Sequence, residues 1–238
     1  MKNALTIIAI TILSLNALHT VGQQKILVIT GGHDFEEASF YEMFNSFSDV
    51  AFDTISQPAA NALLTNQSAM KKYDCLVYYD MVQEISDEQK AAWIQLLKKG
   101  KGVVFLHHSL VSYQDWPEFR NIIGGKYLLK PEGDHAPSTY RHDVDMQIHI
   151  VNKEHPVCRG VTDFVIHDEV YGGYVVNAEV TPLLKTDHPE STAVVGWCNN
   201  YQKSRIVYLQ GGHDHAAYEN ENYRRLLLNA IQWVSGGK

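Results

Sequence analysis

Histidines stand at the ends of three apolar runs in this sequence. Lys25 to Thr30 leads into Gly31-Gly32-His33-Asp34, Gly102 to Leu106 leads into His107-His108, and Arg205 to Gln210 leads into Gly211-Gly212-His213-Asp214-His215. The first and last turns repeat the same four residues. In an open parallel sheet the carboxyl ends of the strands carry the ligand site, so turns on neighbouring strands bring their histidines to one rim. Neutral imidazoles bind zinc or a similar divalent metal, and near neutral pH an imidazole also carries protons. His33, His107 and His213 are therefore candidate metal ligands or acid-base groups; the plainer reading is that each hydrogen-bonds its own turn. His108 and His215, beside them, are candidates for contact with substrate.

A second concentration of chemistry is His167-Asp168-Glu169-Val170-Tyr171. On a strand Asp168 and Glu169 face opposite ways, so one faces the site and the other serves structure or solvent. Glu169 is the choice for general acid or base, with His107 and Asp168 as further catalytic candidates and Tyr171 as a substrate contact; the alternative is a solvated acidic turn. Gly32 and Gly212 let the chain turn sharply and let a ligand approach the backbone. No Gly-x-Gly-x-x-Gly or Walker pattern is present, so no nucleotide cofactor is expected. His135 and His142-Asp143 fall where a lid is expected. Trp116, Tyr127, Tyr140 and Tyr218 are either platforms for sugar faces or simple packing. Asp34 and Asp214 orient an imidazole or, more plainly, cap a helix. Phe105-Leu106-His107-His108-Ser109 lacks the glycine-flanked Ser or Cys of a nucleophile elbow. Hydrolysis or elimination assisted by metal or general base fits this inventory better than nucleophilic catalysis.

The elements that must position these residues alternate. Strands are expected at Lys25–Thr30, Val50–Ile55, Asp74–Tyr79 and Gly102–Leu106. Helices are expected at Phe35–Phe47, where Phe40, Met43, Phe44 and Phe47 recur at helical spacing, weakly at Ala59–Lys72, and from a Ser86-to-Gln89 capping box to about Lys99. This alternation predicts a doubly wound, mostly parallel α/β sheet. From Pro131 to about Thr192 the chain turns loop-rich, with short strands at Val144–Val151 and Val180–Lys185 and another at Thr192–Trp197. It reads as an insertion or antiparallel extension capping the active rim, not a second domain. Arg205–Gln210 restores the buried-strand pattern and Asn222–Val234 closes the chain as an amphipathic helix.

The 238 residues are 45% apolar, enough for one good core. Met1-Lys2-Asn3 followed by the uncharged apolar run Ala4–Leu18 has the form of a secretory signal peptide, with cleavage expected before Gln23. Residues 1–22 are thus read as signal and 23–238 as one domain, exported to the periplasm or secreted, with no membrane association after signal removal. A formal charge of −7 disfavours nucleic acid as a partner. Of three cysteines, Cys75 reads as core, whereas Cys158 and Cys198 lie near loops and could pair in an oxidising compartment.

Taken in order, Gly-Gly-His after the first strand, Val103-Val104-Phe105-Leu106-His107, His155-Pro156 ahead of Gly160, Asp168-Glu169-Val170-Tyr171, Gly196-Trp197 and Gly212-His213 ahead of Arg224-Arg225-Leu226-Leu227 to Trp233 resemble the trehalose-utilisation, or ThuA-like, family. The resemblance spans almost the whole mature chain. It implies a flavodoxin-like fold similar to class I glutamine amidotransferases, without their cysteine: that position is His107 or His108, so glutamine hydrolysis is not expected. It also implies carbohydrate catabolism, including trehalose-type disaccharides and their keto derivatives, in a family where metal-bound members are suspected. The leading expectation is an exported enzyme that cleaves or rearranges a glycoside or keto-sugar, its partner a small carbohydrate. The alternative is a non-catalytic sugar-binding or scaffold protein on the same fold.

Overall fold

The computed structural model describes residues 23–236. The expected signal peptide lies outside them. In chain order the elements are β1 (Gln24–Gly31), α1 (Glu37–Asn45), β2 (Val50–Ser56), α2 (Ala59–Leu64), β3 (Cys75–Asp80), α3 (Asp87–Lys98), β4 (Gly102–Leu106), α4 (Pro117–Ile123), β5 (Gly125–Lys126), β6 (Thr139–Ile150), β7 (Phe164–Gly172), β8 (Val175–Val176), β9 (Thr181–Thr186), β10 (Val194–Tyr201), β11 (Ser204–Leu209), α5 (His215–Glu219) and α6 (Glu221–Val234). Among the described residues no helix is long and apolar enough to cross a membrane.

Nine strands form one sheet in the order β2-β1-β3-β4-β11-β10-β9-β6-β7, and β5 pairs with β8 separately. The first five are parallel, in a flavodoxin-like order with chain reversal between β1 and β3. Their sequences are apolar at almost every position because both faces are covered. Ile26 and Val28 of β1 pack with α1, α5 and α6, while Leu27 and Ile29 pack with α2, α3 and α4; Val104 and Phe105 of β4 divide in the same way. The expected doubly wound sheet is therefore present.

Local signals explain most helix ends. The Ser86 hydroxyl accepts from the Gln89 amide at 3.3 Å and Gln89 Oε1 accepts from the Ser86 amide at 2.9 Å, the reciprocal capping expected. The weak helix expected over Ala59–Lys72 is instead α2 and a 3-10 turn at Ala69–Lys72. Asn66 interrupts it: its Oδ1 accepts from the Ala69 amide at 3.0 Å, an alternative to helical pairing that polar side chains offer.

The insertion is more regular than its loop-rich sequence suggests. Antiparallel β10, β9, β6 and β7 extend the sheet beyond β11. Only Ile148–Ile150 of β6 pair with β9, so the rest of β6 and its partner β7 form a two-stranded ribbon free of the sheet. Five strand spacings on a flat sheet would hold β7 roughly 24 Å from β4. Yet Glu169 Oε2 of β7 lies 2.9 Å from His107 Nε2, just after β4. The ribbon coils back over the rim, as strongly twisted two-stranded ribbons do. Cys75, Cys158 and Cys198 are buried and free, with no bond between Cys158 and Cys198.

Candidate metal centre

At the end of β4 the chain enters a 3-10 turn, His107–Val111, with His107 at φ 45°. A positive φ is costly for a side chain bearing Cβ and persists only where surrounding contacts hold it. Here the hold is visible. His107 is fully buried, its Nδ1 lies 2.6 Å from the Gln210 carbonyl, and its own carbonyl accepts from the Tyr208 hydroxyl at 3.1 Å. Because a carbonyl only accepts, Nδ1 carries the proton, and in the neutral ring Nε2 has a bare lone pair. That lone pair faces Glu169 Oε2 at 2.9 Å and the Tyr171 hydroxyl at 3.0 Å. Lone pair against carboxylate is repulsive unless a proton or a cation lies between.

Other donors converge there. One ligand atom from each of His107, His108, Glu169 and His213 lies within 4.8 Å of the other three. His213 Nδ1 is 3.1 Å from Glu169 Oε2, without hydrogen-bond alignment, and His108 Nδ1 and His213 Nδ1 are buried without partners. Buried polar atoms are normally paired, so unpartnered Nδ1 atoms on two histidines of this group need explaining. Three imidazoles and one carboxylate are a ligand set that zinc and similar divalent ions accept. The Gln210 carbonyl on His107 Nδ1 fixes the ring's orientation, as an outer partner does for a ligating histidine.

The electrostatics divide the imidazoles. Burial first, then the imidazoles of His107, His33 and His213, push His108 far below the usual histidine range, so it is neutral and free to donate its lone pair. The Glu169 carboxylate raises His213, outweighing burial. Burial pulls Glu169 upward, but His107 and His213 outweigh it and hold the carboxyl well below the usual range. An ionised carboxylate of that kind is a good ligand and a weak base.

The other residues singled out from sequence take distinct places. His33 stacks on His108, ring centres 3.9 Å apart, outside the group of four. Its Nδ1 donates to the Asp34 carbonyl at 3.0 Å, Nε2 is buried without a partner, and burial lowers its pKa. Asp168 and Glu169 face opposite ways, and both serve the rim. Asp168 is 2% exposed and accepts from the amides of Gly212 at 2.7 Å, His213 at 2.9 Å and Glu169 at 2.8 Å, fixing the turn that presents His213. Burial raises its pKa. The Gly212 amide is thus spent on Asp168. At Gly32 a side chain would run into the Met81 carbonyl, a close approach only glycine permits. Tyr171 is buried behind His107. The structure does not bring His215 to the donors: its Nδ1 and amide each lie 2.9 Å from Glu36 Oε2, tying the two histidine turns on the outside. Asp214 caps α5 through the Ala216 amide at 2.9 Å.

Three contributors carried little or no signal. Gln210 ends an apolar strand, and its backbone carbonyl is what counts. Tyr79, read only as strand, donates to the Gly212 carbonyl at 2.8 Å. His142 lies 3.7 Å from Glu169 Oε1 and 4.6 Å, ring to ring, from His213. A β-bulge between Arg141 and Val144 precedes the ladder's return to register, and a bulge has no reliable sequence signature.

Fold and site define a doubly wound α/β protein with a histidine-carboxylate centre at the ends of its parallel strands. The family model for trehalose utilisation, ThuA, matches residues 25–234, and the chain belongs to this family. Among solved structures, a ThuA-like protein from Parabacteroides merdae superposes with a TM-score of 0.77 at 17% identity, over 90% of this chain and 91% of that one. A ThuA-like protein from Bacteroides uniformis gives 0.67 at 20% identity, over 90% and 92%. A β-galactosidase from Bacillus circulans gives 0.57 at 11% identity, where 89% of this chain covers 31% of the larger one. These likenesses speak for the fold. The comparison with curated proteins gave no match.

Proposed function

We propose that the chain is an exported carbohydrate-processing enzyme that cleaves or rearranges a glycoside or keto-sugar, with a divalent metal such as zinc held by His107, His108, Glu169 and His213. Export rests on the basic start and apolar run of residues 1–22. One observation carries the metal: His107 Nε2 lies 2.9 Å from Glu169 Oε2, and one ligand atom each of His107, His108, Glu169 and His213 lie within 4.8 Å of one another. His33, expected among the ligands, is assigned a different part here.

A divalent ion held there would supply Lewis-acid polarisation of a sugar carbonyl. Glu169, ionised and committed to the donors, is a poor proton acceptor. His33 is the other candidate proton acceptor: its Nδ1–H is on the Asp34 carbonyl, its buried Nε2 has no protein partner and its ring lies against that of His108, while burial lowers its pKa and so limits its basicity. On a keto-sugar it takes the proton from the carbon next to the carbonyl, and the released electron pair expels the glycosidic oxygen, protonated from the solvent side. Asp168 and Tyr79 hold the turn that presents His213, and the Gln210 carbonyl holds the His107 ring.

A reading without metal rests on the same contact. Protonated at both nitrogens, His107 donates to Gln210 and Glu169 together, leaving a binding site or an acid-base pair. Turnover of oxidised and unoxidised disaccharides before and after chelation tests the proposal. Release of the aglycone that stops on chelation and returns with zinc is expected. No turnover by metal-loaded protein overturns the enzymatic reading in favour of sugar binding or a scaffold.

A further inference from the structure

Trp116, read from sequence as a platform or as packing, lines a hollow of about 170 Å³ together with Tyr113 and Phe119. Leu110 and Ser112, at the close of the turn that begins with His107, form another part of its wall, and the donors themselves do not. Phe119 stacks on Trp116 with ring centres 6.0 Å apart and meets Tyr113 edge-on at 4.9 Å. Tyr113 sits at φ 50°, a left-handed backbone that a bulky residue keeps only where its surroundings hold it, as they do at ligand clamps. A cavity of roughly 150 Å³ is enough to take a benzene ring.

The same hollow is lined by three charged residues, Arg120, Lys126 and Glu132. Their side chains are 33%, 24% and 42% exposed, whereas Tyr113, Phe119 and Trp116 are buried, so the aromatic groups lie deep and the charges near the mouth. Glu132 Oε1 accepts from Arg120 Nη1 and Oε2 from Lys126 Nζ, each at 2.8 Å, while Arg120 Nε donates to Asn177 Oδ1 at 3.0 Å. One carboxylate thus serves two cations, and a guanidinium and an ammonium have more N–H donors than these contacts use. The inner polar groups are committed. The Ser112 hydroxyl donates to the Asp80 carbonyl and accepts from the Val82 amide, each at 3.2 Å, and Gln114 Nε2 donates to the carbonyls of Val111 and Tyr127. A hydroxyl-rich ring finds few partners there, and an apolar ring needs none.

We propose that this hollow is a binding site for a one-ring aromatic carboxylate, the ring among Trp116, Tyr113 and Phe119 and the carboxylate on Arg120 and Lys126. It is a second site, independent of the carbohydrate reading. Size excludes a disaccharide, and the net positive charge of the lining favours an anion over a neutral ring.

Calorimetric titration of the full chain with benzoate tests it, with benzamide as the uncharged counterpart and glucuronate as a one-ring acid without an aromatic face. Benzoate is expected to bind with a Kd of about 0.1–1 mM, and the two controls about ten-fold more weakly or worse. Arg120→Gln is expected to weaken benzoate about five- to ten-fold, and Lys126→Gln gives the same loss if the first variant does not fold. Wild-type protein that does not bind benzoate, or that binds benzamide or glucuronate as tightly, overturns the proposal. So does benzoate binding that survives both charge variants, and its loss in His213→Ala instead places the anion at the donor cluster.

Discussion

Gly31-Gly32-His33-Asp34 and Gly211-Gly212-His213-Asp214 close two parallel strands of one sheet with the same four residues, and the copies do different work. His213 joins the donor cluster; His33 stands one ring outside it, on His108. Asp214 caps α5, whereas Asp34 is exposed and α1 has Glu36, not an aspartate, at its N-cap and no side-chain cap. Gly212 gives its amide to Asp168, and Gly32 lies against the Met81 backbone. Four residues suffice to specify a sharp turn that presents an imidazole. What the imidazole then does depends on what packs behind the turn. Behind the second copy, the β7 ribbon brings Asp168 under the amides and Glu169 against the ring. Behind the first there is β3, whose buried Asp80 turns away, accepting from Gln57 Nε2 at 2.9 Å and facing the Ser109 and Ser112 hydroxyls.

If Asp168 makes the difference between the two turns, its loss must hurt far more than that of the aspartate within the first turn. Asp168→Ala leaves buried amides of Gly212 and His213 without an acceptor and is expected to cost about 3 kcal/mol. In thermal unfolding that lowers the midpoint by roughly 6–12 °C for a chain of this size. Asp34→Ala, at an exposed position, should stay within about 0.5 kcal/mol of wild type. Equal, small effects would mean that β7 does not hold the second turn.

Burial raises both buried aspartates, and for Asp80 the shift is large enough to set a pH dependence of stability. Burial pushes the Asp80 carboxyl up to about 7, against the opposing hydrogen bonds of Gln57, Ser109 and Ser112. A carboxyl raised in the folded state contributes stability that is fully present below its unfolded pKa near 4 and is lost as pH rises through 7. Asp80→Asn should therefore resemble wild type at pH 4 and be more stable by about 2 kcal/mol at pH 8, measured as urea midpoints across that range. A variant less stable than wild type at pH 8 would show that the ionised carboxylate is stabilising.

The parallel half of the fold was legible because its inner strands are apolar throughout and its helices carry their own signals, as Ile26 to Ile29 and the Ser86-to-Gln89 cap illustrate. The ribbon was not. Thr139 to Asp143 is an exposed polar run whose pairing with Asp168 to Gly172 is fixed by tertiary contacts, and its coiling back over β4 follows from the few residues that tie it to β9. The histidines and the acidic pair were visible as chemistry. Their division of labour was not. Period-two alternation sends His107 and His108 to opposite faces, but a positive φ at His107 and the following 3-10 turn set the two rings 4.2 Å apart on one side. That brings His108 among the donors where His33 was expected. Asp168 and Glu169 do alternate, and both matter because β7 crosses between the donor cluster and the turn amides.

In the proposed metal site the second Gly-Gly-His-Asp copy supplies a ligand and the first does not. Metal content of untagged wild-type, His213→Ala and His33→Ala proteins, measured by elemental analysis after dialysis against a dilute zinc buffer, tests it directly. The account predicts about one tightly held divalent ion per chain in the wild type and in His33→Ala, and near-complete loss in His213→Ala. No stoichiometric ion in the wild type, or loss in His33→Ala with retention in His213→Ala, would contradict it.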